Sequence, residues 1–267
     1  MPFERETVRH PMSLRRATVA AVQPVVPSIV RVTLEGPGLD GFVSLGPADH
    51  VKVFFPDPAS GELLLPDIRP EGLSRPAQEG TIISRDYTPL PAADGTLQLD
   101  FVLHGDEGPA SAWAARAAVG DELGIGGPRG SRLAPAGVGR LLVVADETAL
   151  PATRRWLDAV PASTEVTALL SVADDDVSDY FAPDARLDAE WLVRGIDDLE
   201  EALRSLGQVG DDTFVFMAGE ATSLVPLRRY LRDELGLPRE QVSASGYWKR
   251  GIVNRDHHEP LDPSDPD

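Results

Sequence analysis

The apolar pattern of the chain changes character near residue 140. Before this point, β-branched and apolar residues recur in short runs separated by glycine and proline, a pattern typical of antiparallel strands. After it, LLVVAD at residues 141–146 is one unbroken apolar run, as expected of a central parallel strand buried on both faces. Further strands then alternate with helical stretches. The chain is therefore predicted to form an antiparallel β-barrel followed by a doubly wound parallel α/β sheet.

The boundary between the two predicted domains lies in the segment APAGVGR. We assign residues 1–135 to the barrel domain and residues 136–255 to the α/β domain. The remainder, residues 256–267, is acidic and rich in proline, and we expect it to be disordered. His257 and His258 stand beside Asp256 there, but a solvated tail explains them better than a metal site does. We predict no metal ligands.

The predicted elements follow from these patterns. Strands of the barrel are expected at residues 16–21, 29–34, 50–56, 81–87 and 97–104, followed by a short helix at 110–119 and a glycine-rich turn at 123–131. Strands of the α/β domain are expected at 141–146, 166–172, 190–193, 214–219 and 242–246. Its helices are expected at 148–159, 197–206 and 221–235, with a loop at 173–183.

Charge and cysteine content exclude several classes of function. With 43 acidic and 25 basic residues, the formal net charge is -18, so nucleic acids and anionic membrane surfaces are repelled. The chain has no cysteine, which excludes disulfides, thiolate zinc sites and cysteine-ligated iron–sulfur clusters. Neither a signal peptide nor a transmembrane run is visible. We expect a cytoplasmic protein without stable membrane association, whose redox chemistry would need a bound cofactor.

The stretch IISRDYTPL at residues 82–90 carries side chains suited to flavin chemistry. Strand alternation puts Arg85 and Tyr87 on one face and Asp86 and Thr88 on the other. A tyrosine ring can cover an isoalloxazine, a threonine hydroxyl can hydrogen-bond its hydride-accepting nitrogen, and a guanidinium can grip a pyrophosphate. Taken alone, an ordinary strand end with an exposed Arg–Asp pair is the better explanation.

A second feature supports the flavin interpretation. Gly108, Pro109, Ala110 and Ser111 begin the predicted helix, where free backbone N–H groups and a hydroxyl favour an anion such as pyrophosphate. Simple helix capping accounts for this segment by itself. However, a helix start that can bind an anion follows soon after an Arg-x-Tyr-Thr strand. Flavin binding would explain both segments together.

Seven blocks of sequence, taken in order, resemble the siderophore-interacting protein family, flavin-dependent ferric-siderophore reductases related to ferredoxin-reductase-like enzymes. The blocks are HVKVFFP, RDYTPL, LHGDEGPASAWA, GDELGIGGPRGS, ADETALPA, MAGEATSLVPLRRYL and GYWKRG. They span nearly the whole chain, and together they are far more specific than any one of them.

The resemblance implies FAD in the barrel domain and NADH or NADPH as a transient ligand of the α/β domain. It places Tyr87 and Thr88 at the isoalloxazine as the catalytic pair. Around the FAD pyrophosphate it places Arg85, His104, Gly108, Ala110 and Ser111. At the nicotinamide side it places Glu147, Thr148, Gly219 and Glu220, with Gly246, Tyr247 and Trp248 near the flavin. Around the siderophore it places the basic residues Lys52, Arg129, Lys249 and Arg250.

The sequence departs from the family pattern at two positions. Leu90 stands where the motif usually reads Arg-x-Tyr-Thr-x-Arg, which removes one charge near the flavin or substrate. Val225 stands where an arginine is common, which favours NADH over NADPH unless Arg228 or Arg229 substitutes. ADETALPA also lacks the GxGxxG turn, which suits a transient rather than a resident nucleotide.

The mechanism implied is hydride transfer from nicotinamide to FAD, followed by single-electron reduction of Fe(III) in the siderophore. A ferredoxin is an additional candidate donor. Two alternatives remain open: a general flavin or ferredoxin-type reductase with another acceptor, and a non-catalytic siderophore-binding protein, which Leu90 favours. Flavin absorbance that bleaches with NAD(P)H would distinguish an enzyme from a carrier.

Lysine occurs only at Lys52 and Lys249. Because the chain is strongly acidic, an anionic ferric siderophore needs a local positive surface. We hypothesise that both lysines, with Arg129, form a positive cleft above the flavin. Chance placement of two lysines is the alternative.

Overall fold

We describe a computed structural model of the chain at residues 3–69, 72–74, 80–92, 94–105, 108–181, 184–255 and 259–264. It divides into two compact units. The barrel unit comprises Thr7–Leu133, and the sheet unit comprises Met1–Glu6 together with Ala134–Asp267. The first six residues therefore group with the second unit, whereas the sequence placed them in the barrel domain.

The barrel unit contains short strands and one helix. Within the described residues these are β1 (Thr7–Arg9), β2 (Leu14–Val26), β3 (Ile29–Glu35), β4 (Val51–Phe55), β5 (Asp67–Arg69), β6 (Gly72–Ser74), β7 (Ile83–Tyr87), β8 (Leu90–Pro91), β9 (Leu97–Val102), α1 (Pro109–Ala114), β10 (Glu122–Gly126) and β11 (Gly130–Arg132). An antiparallel seven-stranded sheet has the order β7-β4-β10-β2-β3-β9-β8. β1 pairs with β11, and β5 pairs with β6.

The two edges of the seven-stranded sheet meet at residues 88–89. β7 and β8 are its opposite edge strands, yet only Thr88 and Pro89 separate them in the chain. Three Cα–Cα steps span at most about 11 Å, so the sheet has to curl until its edges nearly meet. Its interior is filled by side chains such as Val32, Leu99 and Ile125, each with 0 % exposure. The predicted antiparallel barrel is confirmed.

The glycine-rich segment expected to form a turn is instead β10, a strand between β4 and β2. A Cβ placed on Gly124 would lie 2.2 Å from Leu65 Cδ2 and 3.1 Å from Phe54 Cβ. The glycine therefore lets these side chains pack directly on the strand. β2 is longer than predicted and continues through Pro24 with register shifts, while α1 is shorter.

The sheet unit alternates strands and helices. In chain order, its described elements are β12 (Arg140–Asp146), α2 (Leu150–Ala159), β13 (Glu165–Val172), β14 (Leu187–Val193), α3 (Leu199–Ser205), β15 (Thr213–Glu220), α4 (Ala221–Arg229) and β16 (Val242–Trp248). Glu147–Ala149, Asp175–Tyr180 and Arg239–Gln241 form 3-10 turns, and Tyr230–Glu234 continues α4 as a π-helical turn. The turn at Asp175–Tyr180 lies where only a loop was expected.

The five strands are all parallel, in the order β14-β13-β12-β15-β16. α3 and α4 pack on the face that carries Leu142 and Met217. On the opposite face, Trp156 of α2 contacts Phe214 and Phe216 at centroid distances of 5.2 and 5.4 Å. Helices on both faces confirm the predicted doubly wound sheet. Within the described part of the chain, no helix is long and apolar enough to span a bilayer.

The described residues nearest to each end of the chain pack within the sheet unit. The Arg5 guanidinium lies 5.2 Å from the Trp156 ring, and Arg5 Nη1 donates to Ser243 Oγ at 3.2 Å. At the other end, Leu261 is buried and Arg229 Nε donates to Asp262 at 2.6 Å. The prediction of a disordered tail is therefore wrong for residues 259–264. His257 and His258 lie outside the described residues.

Candidate functional site

The two edges of the barrel sheet meet at residues 88–89, and we call this place the seam. An aromatic cluster packs beside it. The Tyr87 ring lies 4.5 Å from the Phe101 ring and 6.3 Å from the Phe55 ring, measured between centroids. Trp113 of α1 packs 5.6 Å from both phenylalanines. The helix is therefore docked against the core beside Tyr87, which fixes the orientation of the tyrosine. Burial raises the pKa of the Tyr87 hydroxyl, against the opposing charge of Arg85, so Tyr87 is neutral at ordinary pH.

Arg85 and Tyr87 share the inner face of β7, as strand alternation predicts. Their register partners on β4 are Val53 and Val51, both core residues with 0 % exposure. Arg85 is half-buried, and its Nη1 donates to Ser84 O at 2.7 Å. Among the described residues, no carboxylate pairs with Arg85. Such a cation fits an anionic ligand group.

Thr88 is 7 % exposed and follows Tyr87 at the seam. Leu90, in place of the family arginine, lies in β8 opposite Gln98 and is half-buried. The edge of the barrel at this point is therefore apolar rather than charged.

His104, Gly108 and Ser111 come together at the start of α1. Ser111 Oγ accepts the backbone N–H of His104 at 3.1 Å, and a Cβ on Gly108 would lie 3.2 Å from His104 Cε1. The hydroxyl proton of Ser111 remains a donor. Ala110 is buried in the barrel core. The start of α1 and the half-buried Arg85 belong to the same unit, and a helix start and a cation both favour an anionic ligand group.

Lys52 and Asp86 face each other across β4 and β7, with Nζ and Oδ1 2.7 Å apart. They lie on the outer face of this strand pair, opposite to Tyr87. Asp86 therefore offsets the charge of Lys52. Arg129 is exposed between the cis peptide Gly127–Pro128 and β11.

In the sheet unit, the Asp146 carboxylate at the end of β12 accepts four hydrogen bonds. Oδ1 accepts the N–H and hydroxyl of Thr148 at 2.9 and 2.5 Å. Oδ2 accepts the Glu220 N–H and Trp248 Nε1–H, both at 2.8 Å. Burial and then the adjacent Glu147 charge raise the pKa of Asp146 to about 6, although the donors act against this rise. Asp146 joins the ends of β12, β15 and β16.

Gly219 is required by the contact with Asp146. Its φ of +147° is unfavourable for other residues, and a Cβ would lie 2.5 Å from Asp146 Oδ2. The glycine of MAGEA therefore lets the peptide between residues 219 and 220 approach the carboxylate.

Glu147 is 8 % exposed and is held by Arg194, which follows β14. The two guanidinium nitrogens Nη1 and Nη2 each lie 2.5 Å from a different Glu147 oxygen. Arg194 Nη1 also donates to Ser171 O at 2.9 Å. The hydrogen bonds to Glu147 raise the pKa of Arg194 despite burial. Both oxygens of Glu147 thus already have donors.

Glu220 caps the N-terminus of α4. Its carboxylate accepts the Ser223 N–H at 2.7 Å and the Arg250 N–H at 3.1 Å. Burial acts to raise the pKa of Glu220, but these hydrogen bonds outweigh it and the pKa lies below its ordinary value. Glu220 therefore links the start of α4 to the turn after β16.

Several of these groups line an open cleft at the carboxyl edge of the sheet. Its polar side chains are Asp146, Ser171, Arg194, Glu220, Ser223 and Arg250, and Trp248 forms part of its wall. Ligands of doubly wound sheets bind at this edge, where the strand order reverses. The tight turn that follows Trp248 exposes Lys249 and Arg250, and neither side chain pairs with a carboxylate among the described residues.

The two arginines considered as substitutes for Val225 both take part in the packing of the unit. Arg228 is 2 % exposed, and Arg229 is bound to Asp262 and Ser264. A role of either arginine at the 2′-phosphate of NADPH stays a prediction.

Sequence reasoning missed Asp146 and Arg194. Asp146 was interpreted only as the end of an apolar strand, although a carboxylate ending such a run is itself a signal of a site at that edge. Arg194 carried no signal, because its pairing with Glu147 joins residues 47 positions apart.

Comparison with known proteins gives consistent matches over both units. Residues 18–132 match the siderophore-interacting FAD-binding domain, and residues 138–251 match the siderophore-interacting protein domain. The chain is 36 % identical to the NADPH-dependent ferric-chelate reductase of Escherichia coli, over 92 % of this chain and 97 % of that protein. It is 34 % identical to the ferric vibriobactin reductase ViuB of Vibrio cholerae, over 87 % and 88 %.

Among solved structures, the chain is similar to a siderophore utilization protein from T. fusca. The two share 38 % identity with a TM-score of 0.85, over 96 % of this chain and all of that one.

Proposed function

This chain belongs to the siderophore-interacting protein family, and we propose that it is an NAD(P)H-dependent flavoprotein that reduces ferric siderophores to release Fe(II). The family resemblance of the sequence blocks is thereby confirmed, as is FAD as the cofactor of the barrel unit. Two of the relatives are named reductases, of ferric chelates and of ferric vibriobactin. Reduction frees the metal because hard oxygen ligands hold Fe(II) more weakly than Fe(III).

The observation that carries this proposal is the state of Arg85. It is a half-buried cation beside Tyr87 at the seam of the barrel, without a carboxylate partner among the described residues. An unpaired, partly desolvated cation is costly unless a ligand anion completes it. We propose that the FAD pyrophosphate is that anion, held also by the backbone at Gly108 and by the Ser111 hydroxyl.

Tyr87 and Thr88 are proposed to contact the isoalloxazine. The Phe101 and Phe55 contacts hold the Tyr87 ring in place, so it offers a preformed stacking surface. Thr88 offers a hydroxyl for the hydride-accepting nitrogen. When bound, FAD takes two electrons from a nicotinamide and passes them singly to iron.

The cleft of the sheet unit is proposed to hold the nicotinamide nucleotide. Of the residues that the resemblance implies, Gly219 and Glu220 line it, and Glu147 and Thr148 lie in the turn directly after β12. Glu147 and Thr148 act there through Arg194 and Asp146 respectively. The preference for NADH over NADPH stays a prediction, as does a ferredoxin donor.

The cations Arg129, Lys249 and Arg250, which pair with no carboxylate in the part of the chain that the structure describes, are proposed to attract the anionic siderophore to a protein whose net charge is -18. Lys52 contributes less to this attraction because Asp86 neutralises it. We place the reaction in the cytoplasm, where reduced nicotinamide nucleotides are maintained.

Purification under mild conditions tests the proposal. The protein is expected to be yellow, to release FAD rather than FMN on denaturation, and to lose its flavin absorbance anaerobically with NADH or NADPH. FMN alone would contradict the pyrophosphate site. Bound FAD that neither nucleotide reduces would instead support the non-catalytic alternative.

A further inference from the structure

The carboxylate of Asp146 has no acceptor position left for a ligand. An ionised carboxylate offers about four lone-pair sites. Thr148 occupies two of them, and Glu220 and Trp248 occupy the other two, at distances of 2.5–2.9 Å. A ribose hydroxyl could bind Asp146 only by displacing one of these donors. Because all its acceptor positions are occupied, Asp146 differs from residues that contact a nucleotide directly.

The four donors come from three separate wall segments of the cleft. Thr148 lies in the turn after β12, Glu220 ends β15 directly before α4, and Trp248 ends β16. Within the sheet unit, Asp146 is the common acceptor for all three. Moving the carboxylate would therefore move the indole and the peptide at residue 220 together.

We propose that Asp146 is the positioning residue of the nucleotide cleft, fixing the Trp248 indole and the Gly219–Glu220 peptide in the geometry that accepts the nicotinamide nucleotide. The identity of the ligand in this inference rests on the proposed function. The hydrogen bonds from Trp248 and Glu220 to Asp146 do not depend on it. Gly219 supports it independently, because a Cβ there would collide with the carboxylate. The backbone of β15 is thus shaped to meet Asp146.

The protonation state of Asp146 can be followed through the fluorescence emission of Trp248. The charged groups facing it are Glu147, Arg194, Glu220 and Arg250. Glu147 is ion-paired with Arg194, and the pKa of Glu220 lies below its ordinary value. A change of indole emission near pH 6 in the wild type therefore reports protonation of Asp146. Subtracting the spectrum of Trp248→Phe removes the signals of Trp113, Trp156 and Trp191.

The first test compares Asp146→Asn with Asp262→Asn, a buried aspartate of the same unit that lies outside the cleft. An amide presents one acceptor oxygen and two unwanted donors to the four N–H and O–H groups. Asp146→Asn should abolish the Trp248 emission step near pH 6 and raise the Kd for NAD+ and NADP+, measured by calorimetry, about tenfold. Asp262→Asn should leave both unchanged. Equal losses in the two variants would overturn the proposal.

Thr148→Val provides a second test if Asp146→Asn does not fold. It removes one hydroxyl donor to the ionised carboxylate, so the midpoint of the Trp248 step should move to higher pH. A midpoint that stays in place, or a wild type without any step, overturns the positioning role. If neither nucleotide binds the wild type while the emission step behaves as expected, the proposed function fails and the positioning of Trp248 by Asp146 stands.

Discussion

Glu147 and Arg194 form an end-on bidentate ion pair at the carboxyl edge of the parallel sheet, with both nitrogen–oxygen distances at 2.5 Å. Glu147 is almost fully buried, and Arg194 is one-third exposed. The pair connects the turn after β12 to the residue after β14. It therefore fixes one wall of the cleft at this edge.

Removing one member of this pair should destabilise the protein more than removing both. Arg194→Met leaves the Glu147 carboxylate buried without its cation, which should lower the free energy of unfolding by about 2 kcal/mol. The double variant Glu147→Leu with Arg194→Met should recover most of this loss. Urea denaturation of the four proteins measures the coupling. Additive losses would show that the ion pair does not form.

Asp146 should make stability fall as pH rises from about 4 to about 6. Its folded-state pKa of about 6 lies above the ordinary value of 3.8, so the folded state binds the proton more tightly in this window. The stabilisation that comes from the tighter proton binding is complete at low pH and amounts to about 3 kcal/mol. It is lost as the pH rises to about 6. The stability of the wild type relative to Asp146→Asn should thus decline across this range. A constant difference in urea denaturation from pH 4 to pH 7 would contradict the raised pKa.

Arg85 and Tyr87 should affect FAD differently. Losing the Arg85 guanidinium removes a charge-assisted interaction worth about 1.5–3 kcal/mol, so Arg85→Ala should raise the Kd for FAD roughly one to two orders of magnitude. Tyr87→Ala should also shift the flavin spectrum and potential, because the stacked ring is gone. Arg16→Ala is the control, since Arg16 pairs with Glu122 on the exposed surface. An unchanged flavin spectrum in Tyr87→Ala would show that the Tyr87 ring does not contact the isoalloxazine.

Lys249 should matter more than Lys52 for the siderophore. Lys249 has no carboxylate partner among the described residues, whereas Asp86 lies 2.7 Å from Lys52 Nζ. Lys249→Ala should raise the KM for an anionic ferric siderophore and reduce its salt dependence more than Lys52→Ala does. Oxidation of NAD(P)H with a small neutral quinone should stay near wild type. If even the double variant keeps its KM and salt slope, neither lysine recruits the siderophore.

The fold was largely predictable because its signals are local. The unbroken apolar run at Leu141 and the alternation before it identify the parallel and antiparallel sheets. Segment 122–126 was misassigned because its glycines suggest a turn, whereas they face Phe54 and Leu65 in a packed strand. Residues 259–264 look disordered by composition, yet the Arg229–Asp262 pair and the burial of Leu261 hold them.

The site was predictable only where the motif itself carries the chemistry. Arg85 and Tyr87 share a face because strand alternation requires it. The roles of Asp146 and Arg194 depend on partners distant in sequence, such as Trp248 at 102 positions from Asp146. Such contacts exist only once the strands are assembled.

An anaerobic titration that follows flavin absorbance and Fe(II) together tests the proposed activity most directly. The FAD-loaded protein is first reduced with one equivalent of NADH or NADPH, and a ferric siderophore is then added with a colorimetric Fe(II) chelator present. Because a hydride carries two electrons, we predict that the flavin absorbance returns with two Fe(II) formed per FAD. The redox-inert gallium siderophore should leave the flavin reduced. Flavin that stays reduced with the ferric siderophore, or absorbance that returns without Fe(II), would contradict a ferric-siderophore reductase.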